Sequence, residues 1–218
     1  NYCELGDAIQ EECNRIARVV SQGKSHSLHA VLANSFREIF RNVFEHARVD
    51  QAVYCAQHWP SRELVEICIA DGGIGFSNSL AEDSKIGVLS DRSALLMSLM
   101  PGVSSKSRRY KKKRSSQKSG WDNAGYGLYL SHRLFGKFGW FGLASSGHGL
   151  LVKKNRITDF PANFEGTVVS LRLDLSDVAA MEAELDAIRR DAAEIKKKYG
   201  VKGLTIESVE AFLRENLR

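Results

Sequence analysis

Apolar residues return every three to four positions over two N-terminal stretches. Ile9, Cys13, Ile16 and Val20 form one stripe and predict a helix over 4–21. After a Gly-Lys-Ser break, Leu28, Leu32, Phe36, Ile39, Phe40, Val43 and Ala47 repeat at the same spacing and predict a long helix over 27–48. The pattern then shortens. Residues 52–57 and 64–70 read as strands, and the connector His58-Trp59-Pro60-Ser61-Arg62 joins them as a hairpin. A glycine-rich turn, Asp71-Gly72-Gly73-Ile74-Gly75, follows directly. Helical spacing returns at 92–100, which stops before Pro101-Gly102, and at 123–138, entered through Gly125-Tyr126-Gly127. Strands are expected at 140–145, 149–154 and 167–174. A charged amphipathic helix, capped by Ser176 or Asp177, spans 176–199, and a short last helix over 206–217 starts behind Thr205. Helices and strands are grouped rather than strictly alternating, so the fold class is α+β, a two-layer α/β sandwich.

Composition narrows the class. With 218 residues and 43% apolar content, the chain can bury one good core and a small appendage. Only 3 Pro and 18 Gly occur, without a period, which excludes collagen-like and low-complexity architectures. No apolar run approaches the ~18 residues of a membrane span, and the first ten residues hold no signal-peptide block. No membrane partner and a cytoplasmic location are therefore expected. The absence of an initiating Met reads as a piece of something longer. Cys3, Cys13, Cys55 and Cys68 form no CxxC pair, which argues for free thiols rather than a zinc site or redox dithiol.

Charge is the most uneven property. The net charge of +5 comes from one segment: Lys106, Arg108, Arg109, Lys111, Lys112, Lys113, Arg114 and Lys118 stand between 104 and 120 with no acid among them. The rest of the chain is net acidic. That segment is too polar to pack and predicts a mobile surface loop, one suited to a polyanionic ligand.

Three separated features carry the chemistry. Glu38 and Asn42 lie four apart on the long helix, followed by Glu45 and His46, so Glu38, Asn42 and His46 share a face. Taken alone, that face reads as solvated. Asp71-x-Gly73-x-Gly75 follows a strand, where glycine allows close approach of a ligand and a carboxylate can accept from an exocyclic amine. Taken alone, it is a strand-exit turn; it lacks the spacing of the dinucleotide and phosphate-loop fingerprints. Gly125-Tyr126-Gly127-Leu128 enters a helix whose free N–H groups suit a phosphate. Taken alone, it is a flexible turn.

In this order and spacing, the three features resemble the GHKL ATPases, the superfamily of gyrase, the heat-shock chaperone ATPases, histidine kinases and MutL. The resemblance covers roughly 27–175 and is nearest to compact bacterial histidine-kinase-like ATP-binding proteins. It implies a Bergerat-type fold: a mixed sheet, helices on one face, and a mobile ATP lid at about 101–122. Residues 1–26 then form an N-terminal helix, 27–175 the ATP-binding domain and 176–218 a C-terminal helical extension. It implies ATP and Mg²⁺ as cofactors. Glu38 stands at the position of the catalytic carboxylate, and Asn42 at that of the Mg²⁺ ligand. His46 fits the kinase pattern. Asp71 matches the adenine-reading carboxylate, Gly73 and Gly75 the base and ribose contacts, and Thr167 a supporting hydroxyl. Gly125, Tyr126, Gly127 and Leu128 match the phosphate-binding turn, and Lys106 a lid lysine that approaches phosphate.

Glu45 departs from the basic residue that many histidine kinases carry there and is closer to the gyrase and MutL branch. The resemblance implies an ATPase whose lid closure signals to a protein partner or a second copy in a homodimer. Protein kinase activity, of the histidine or anti-sigma serine type, is the alternative; a phosphoacceptor His on a helical hairpin ahead of residue 27 is missing from the sequence. The basic lid also offers a nucleic-acid contact, which its single aromatic, Tyr110, does not favour. The extension at 176–218 reads equally as a helix pair packed back on the domain or as a partner contact.

Overall fold

The computed structural model describes residues 2–23, 25–49, 51–81, 89–103, 126–199 and 205–216. Two helices open the chain, α1 (Tyr2–Ser21) and α2 (His26–His46). Strands β1 (Val53–Trp59) and β2 (Leu64–Asp71) form a hairpin around a single 3₁₀ turn at Pro60–Arg62. Helices α3 (Gly75–Ala81), α4 (Asp91–Ser98) and α5 (Gly127–Phe138) follow. Strands β3 (Gly139–Lys153) and β4 (Arg156–Asp174) make a second, longer hairpin, and α6 (Val178–Tyr199) and α7 (Ile206–Asn216) close the chain.

The sheet has the order β1-β2-β4-β3, and every described pairing is antiparallel. This corrects the expectation of a mixed sheet. Both neighbouring pairs in sequence are hairpins, and the return of β4 onto β2 also runs antiparallel, so no parallel crossover arises among the described residues.

Alternation along β2 sorts its side chains. Val65, Ile67, Ile69 and Asp71 are buried, while Leu64, Glu66, Cys68 and Ala70 are half-exposed. The register extends the buried face through Leu171 to Phe141 and through Val169 to Leu143. Helices α2 and α5 pack with that face through Leu28, Leu32, Phe36, Ile39, Leu134 and Phe135 in one core. The result is two layers, helices on one face of one sheet.

The C-terminal helices pack back on this body. Met181, Leu185, Ile188 and Ala192 of α6 are buried, as are Val209 and Leu213 of α7. Arg133 of α5 donates to Asp191 of α6 at 3.0 Å and to the Tyr129 hydroxyl at 3.1 Å. Arg92 of α4 joins Glu210 of α7 at 2.6 Å and Asp159 of β4 at 2.7 Å. Caps fix where the helices start. Asp177 Oδ1 accepts from Ala180 N–H at 2.9 Å, and Thr205 Oγ1 accepts from Ser208 N–H at 3.2 Å. Of the two cap candidates ahead of α6, the structure selects Asp177. Among the described residues no helix is long and apolar enough to cross a membrane.

Candidate functional site

The entry of α5 meets α2 at Glu38, the turn after β2 meets the residue that follows α2, and glycine makes each meeting close. A Cβ on Gly127, the first residue of α5, would lie 2.8 Å from Glu38 Cγ and closer still to Glu38 Cβ. The α5 entry therefore rests on the stem of the candidate carboxylate. A Cβ on Gly73 would lie 2.7 Å from Cα of Ala47, just past the end of α2. Ile74 N–H donates to the Ala47 carbonyl at 3.1 Å, and Ala47 N–H donates back to the Asn42 carbonyl at 3.2 Å. The glycine-rich turn is thus tied to the end of α2, about two and a half turns beyond Glu38. Gly75 adopts φ +72°, a left-handed conformation that glycine enters without penalty.

Asp71 ends β2 on the helix-covered face. It is 4% exposed. Its Oδ1 accepts from Gly73 N–H at 2.9 Å. Burial pushes the carboxyl above its ordinary range, and backbone N–H groups of Gly73 and Thr167 partly oppose that rise. Thr167 lies directly opposite in β4, so the two side chains share a face. A buried acceptor flanked only by backbone donors suits a neutral hydrogen-bond donor such as an exocyclic amine.

Glu38 is held differently. Arg41, one turn on, donates to Glu38 Oε1 at 3.0 Å, and the Glu38 side chain keeps 17% exposure. Asn42 is half-buried on the same helix. Its amide oxygen is the ligand type that Mg²⁺ prefers, and that ion ordinarily completes its shell from phosphate oxygens and water. Among the described residues no three His, Cys, Asp or Glu cluster as a metal cage. At the α5 entry, Tyr126 provides no side-chain cap for the first N–H groups. Those groups and the positive end of the helix suit an anion. Leu128 is buried in the core, so its part there is packing.

The structure therefore brings Asp71, Gly73, Gly75 and Thr167 together at the exit of β2, and Glu38 and Gly127 together where α2 meets α5, with Asn42 one turn beyond Glu38 on α2. Lys106, Gly125 and the basic segment at 104–120 lie outside the described residues, as does the greater part of the expected lid. His46 ends α2, and its side chain lies outside the described atoms.

Two contributors escaped the sequence reading. Ser145 is buried; its Oγ accepts from Phe76 N–H at 3.1 Å and donates to the Gly166 carbonyl at 2.8 Å. It clasps the start of α3 to both strands of the second hairpin. Ala47 is the other, as the floor under Gly73. A serine in a small-residue strand end and an alanine after a helix carry no motif signal. No family model matches the chain, and no curated protein matches it.

Proposed function

We propose that the chain is a Mg²⁺-dependent ATP-binding and ATP-hydrolysing module of the GHKL type, with a Bergerat-type fold. Its nucleotide-driven closure would signal to a protein partner or a second copy of the chain. One observation carries this reading: Gly127 packs against Glu38 while Gly73 packs against Ala47 just past the end of that helix, so two motifs distant in sequence both border α2 and its exit, about 13 Å of helix apart. The resemblance in motif order supports the assignment of roles.

In this reading Asp71 accepts a hydrogen bond from the adenine amine, with Thr167 beside it. Gly73 and Gly75 let the turn close onto Ala47, Ser145 and Ser146, shaping the edge that the base and ribose would meet. The first N–H groups of α5, behind Tyr126 and Gly127, hold phosphate oxygens. Asn42 would give its amide oxygen to Mg²⁺, and Lys106 and Gly125 would supply further phosphate contacts. The metal supplies neutralisation of charge on the phosphate oxygens. Glu38 orients a water and takes its proton. Arg41 holds that carboxylate until it is needed, so release of the 3.0 Å contact accompanies turnover.

The test combines melting and turnover. With Mg²⁺ and ATP at about 100 times Kd, bound nucleotide stabilises the fold by about 2.7 kcal/mol. Glu38→Ala keeps that stabilisation and loses about 10²-fold or more in phosphate release. Equal turnover by the variant removes Glu38 from the mechanism. No melting shift with any Mg²⁺–nucleotide mixture removes the nucleotide site altogether. A stable phosphoprotein in place of free phosphate moves the activity to the kinase class.

A further inference from the structure

The open face of the sheet carries two thiols set directly across from one another. Cys55 of β1 and Cys68 of β2 are register partners in the antiparallel ladder, so their side chains leave the sheet on the same side. That side is the one the helices leave uncovered: Cys55 is exposed and Cys68 half-exposed. From their geometry, we propose that Cys55 and Cys68 are a dithiol modification site that closes to a cross-strand disulfide when the chain meets a low-molecular-weight disulfide such as oxidised glutathione.

The distances fit the bond. Opposed residues of an antiparallel pair have Cα atoms about 4.5 or 5.5 Å apart, according to the kind of pair, and disulfides span about 4.4–6.8 Å. Opposed Cβ atoms sit about 4.5–5.5 Å apart, whereas a disulfide asks for about 3.5–4.5 Å. Closing the bond therefore needs a small inward shift of one strand. Strand β1 can make it, because it is the end strand of the described sheet and is paired on one side only. Its residues Val53 to Gln57 are solvent-exposed or nearly so. A bond formed under such mild strain is reducible, the behaviour of a regulatory rather than a structural disulfide.

The chemistry runs as thiol–disulfide exchange. The exposed Cys55 thiolate attacks one sulfur of oxidised glutathione, breaking its S–S bond and releasing one glutathione thiolate. Cys68 then loses its proton to solvent and attacks Cys55 Sγ, forming the protein disulfide and releasing the second glutathione. The two cysteines are oxidised by two electrons, and the glutathione disulfide is reduced by two. Burial raises the Cys68 thiol, and the Ser170 hydroxyl beside it partly opposes that rise. The second step therefore quickens as pH rises. Cys13 serves as the internal contrast. It is fully buried, burial pushes its thiol up to about 12, and neither Cys55 nor Cys68 opposes it. The inference does not depend on the nucleotide reading, since it rests on the uncovered face alone.

The experiment incubates the full chain with oxidised glutathione at pH 8, blocks remaining thiols with N-ethylmaleimide and maps non-reduced peptides by mass spectrometry. The expected product is a monomer lighter by two hydrogens, with the Cys55 and Cys68 peptides joined. Its Tm rises by about 5 °C. Dithiothreitol reverses both changes, and Cys55→Ser and Cys68→Ser each abolish them. A persistent glutathione adduct on Cys55 without the joined peptides overturns the proposal. Disulfide-linked dimers through Cys55, or a bond from either residue to Cys3, overturn it equally.

Discussion

Strand β2 presents two different environments from the same eight residues, Leu64–Asp71. Its odd positions enter the core and end in a buried acid; its even positions face outward and hold a leucine, a charge, a thiol and an alanine. The covered face has helices packed to within glycine contact, and several polar groups there have a fixed local partner, although Ser131 Oγ and His132 Nε2 have none among the described residues. Asp71 has Gly73 N–H, His132 has the Leu128 carbonyl at 3.1 Å, and Ser145 has two backbone groups. The open face trades such fixing for access. Glu66 and Arg172 meet across it at 3.5 Å, each 38% exposed, a pair that water screens. The contrast shows how one strand can serve a recognition site and a solvent-reactive pair at once: alternation keeps the two chemistries on opposite sides.

Removing apolar bulk from the covered face gives the largest expected effect. Ile67→Ala lowers unfolding free energy by about 3 kcal/mol, while Glu66→Ala, its neighbour on the open face, costs less than about 0.5 kcal/mol. Urea denaturation of the two variants makes the comparison, and equal losses would show that the faces are not distinct.

Acid sharpens it next. Burial holds the His132 imidazole down at about 3, among Tyr129 and Phe141. The unfolded chain binds that proton near pH 6.5. The stabilising contribution of neutral His132 is thus whole above about pH 6.5 and is lost as pH falls toward 3, at about 1.4 kcal/mol per pH unit. Melts between pH 7 and pH 4.5 should show this slope, and His132→Leu should flatten it. An unchanged acid limb in the variant means that other groups set it.

Asp71→Asn has a smaller effect on stability than Ile67→Ala or the titration of His132, and the opposite sign. The folded-state carboxyl is raised, so its ionised form costs stability, and the cost grows as pH rises through that raised value. Asn removes the charge. The variant should match the wild-type Tm in acid and exceed it by a few degrees at pH 7, while losing affinity for adenine nucleotides. A variant less stable at every pH would show that the carboxylate is instead a structural anchor.

Much of this was legible in the chain. The 3.6-residue stripe of α2 and the alternation in β2 come from one-sided burial, which the sequence must encode residue by residue. Asp71 and Gly73 were visible because their spacing is peculiar. What stayed hidden depended on pairing. Residues 156–166 contain Pro161, Asn163 and Gly166, which signal turns, yet most of this stretch pairs with β3. The register shifts between Ser145 and Gly147, and this irregularity absorbs Asn163 and Gly166, while Pro161 stays in the ladder opposite His148. The hairpin turn itself uses Lys154 and Asn155 at φ +50° and +57°, a two-residue turn without the glycine that normally announces it. Strands expected at 140–145 and 149–154 are consequently one strand, Gly139–Lys153. Helix α3 was missed because it begins on Gly75 and runs only seven residues. The contacts of Gly127 with Glu38 and of Gly73 with Ala47 are tertiary, and composition or periodicity alone cannot express them.

The two-residue turn at Lys154 and Asn155 also divides the entropic cost of assembling the sheet. Joining β3 to β4 closes almost no loop, whereas setting Asp71 beside Thr167 closes about a hundred residues of chain. Loop-closure cost rises only logarithmically, by about 0.6 kcal/mol for each doubling of length. Insertions between α4 and α5 are therefore nearly free for the architecture, and natural selection can lengthen, shorten or recharge that crossing without disturbing the ladder that seats the acid.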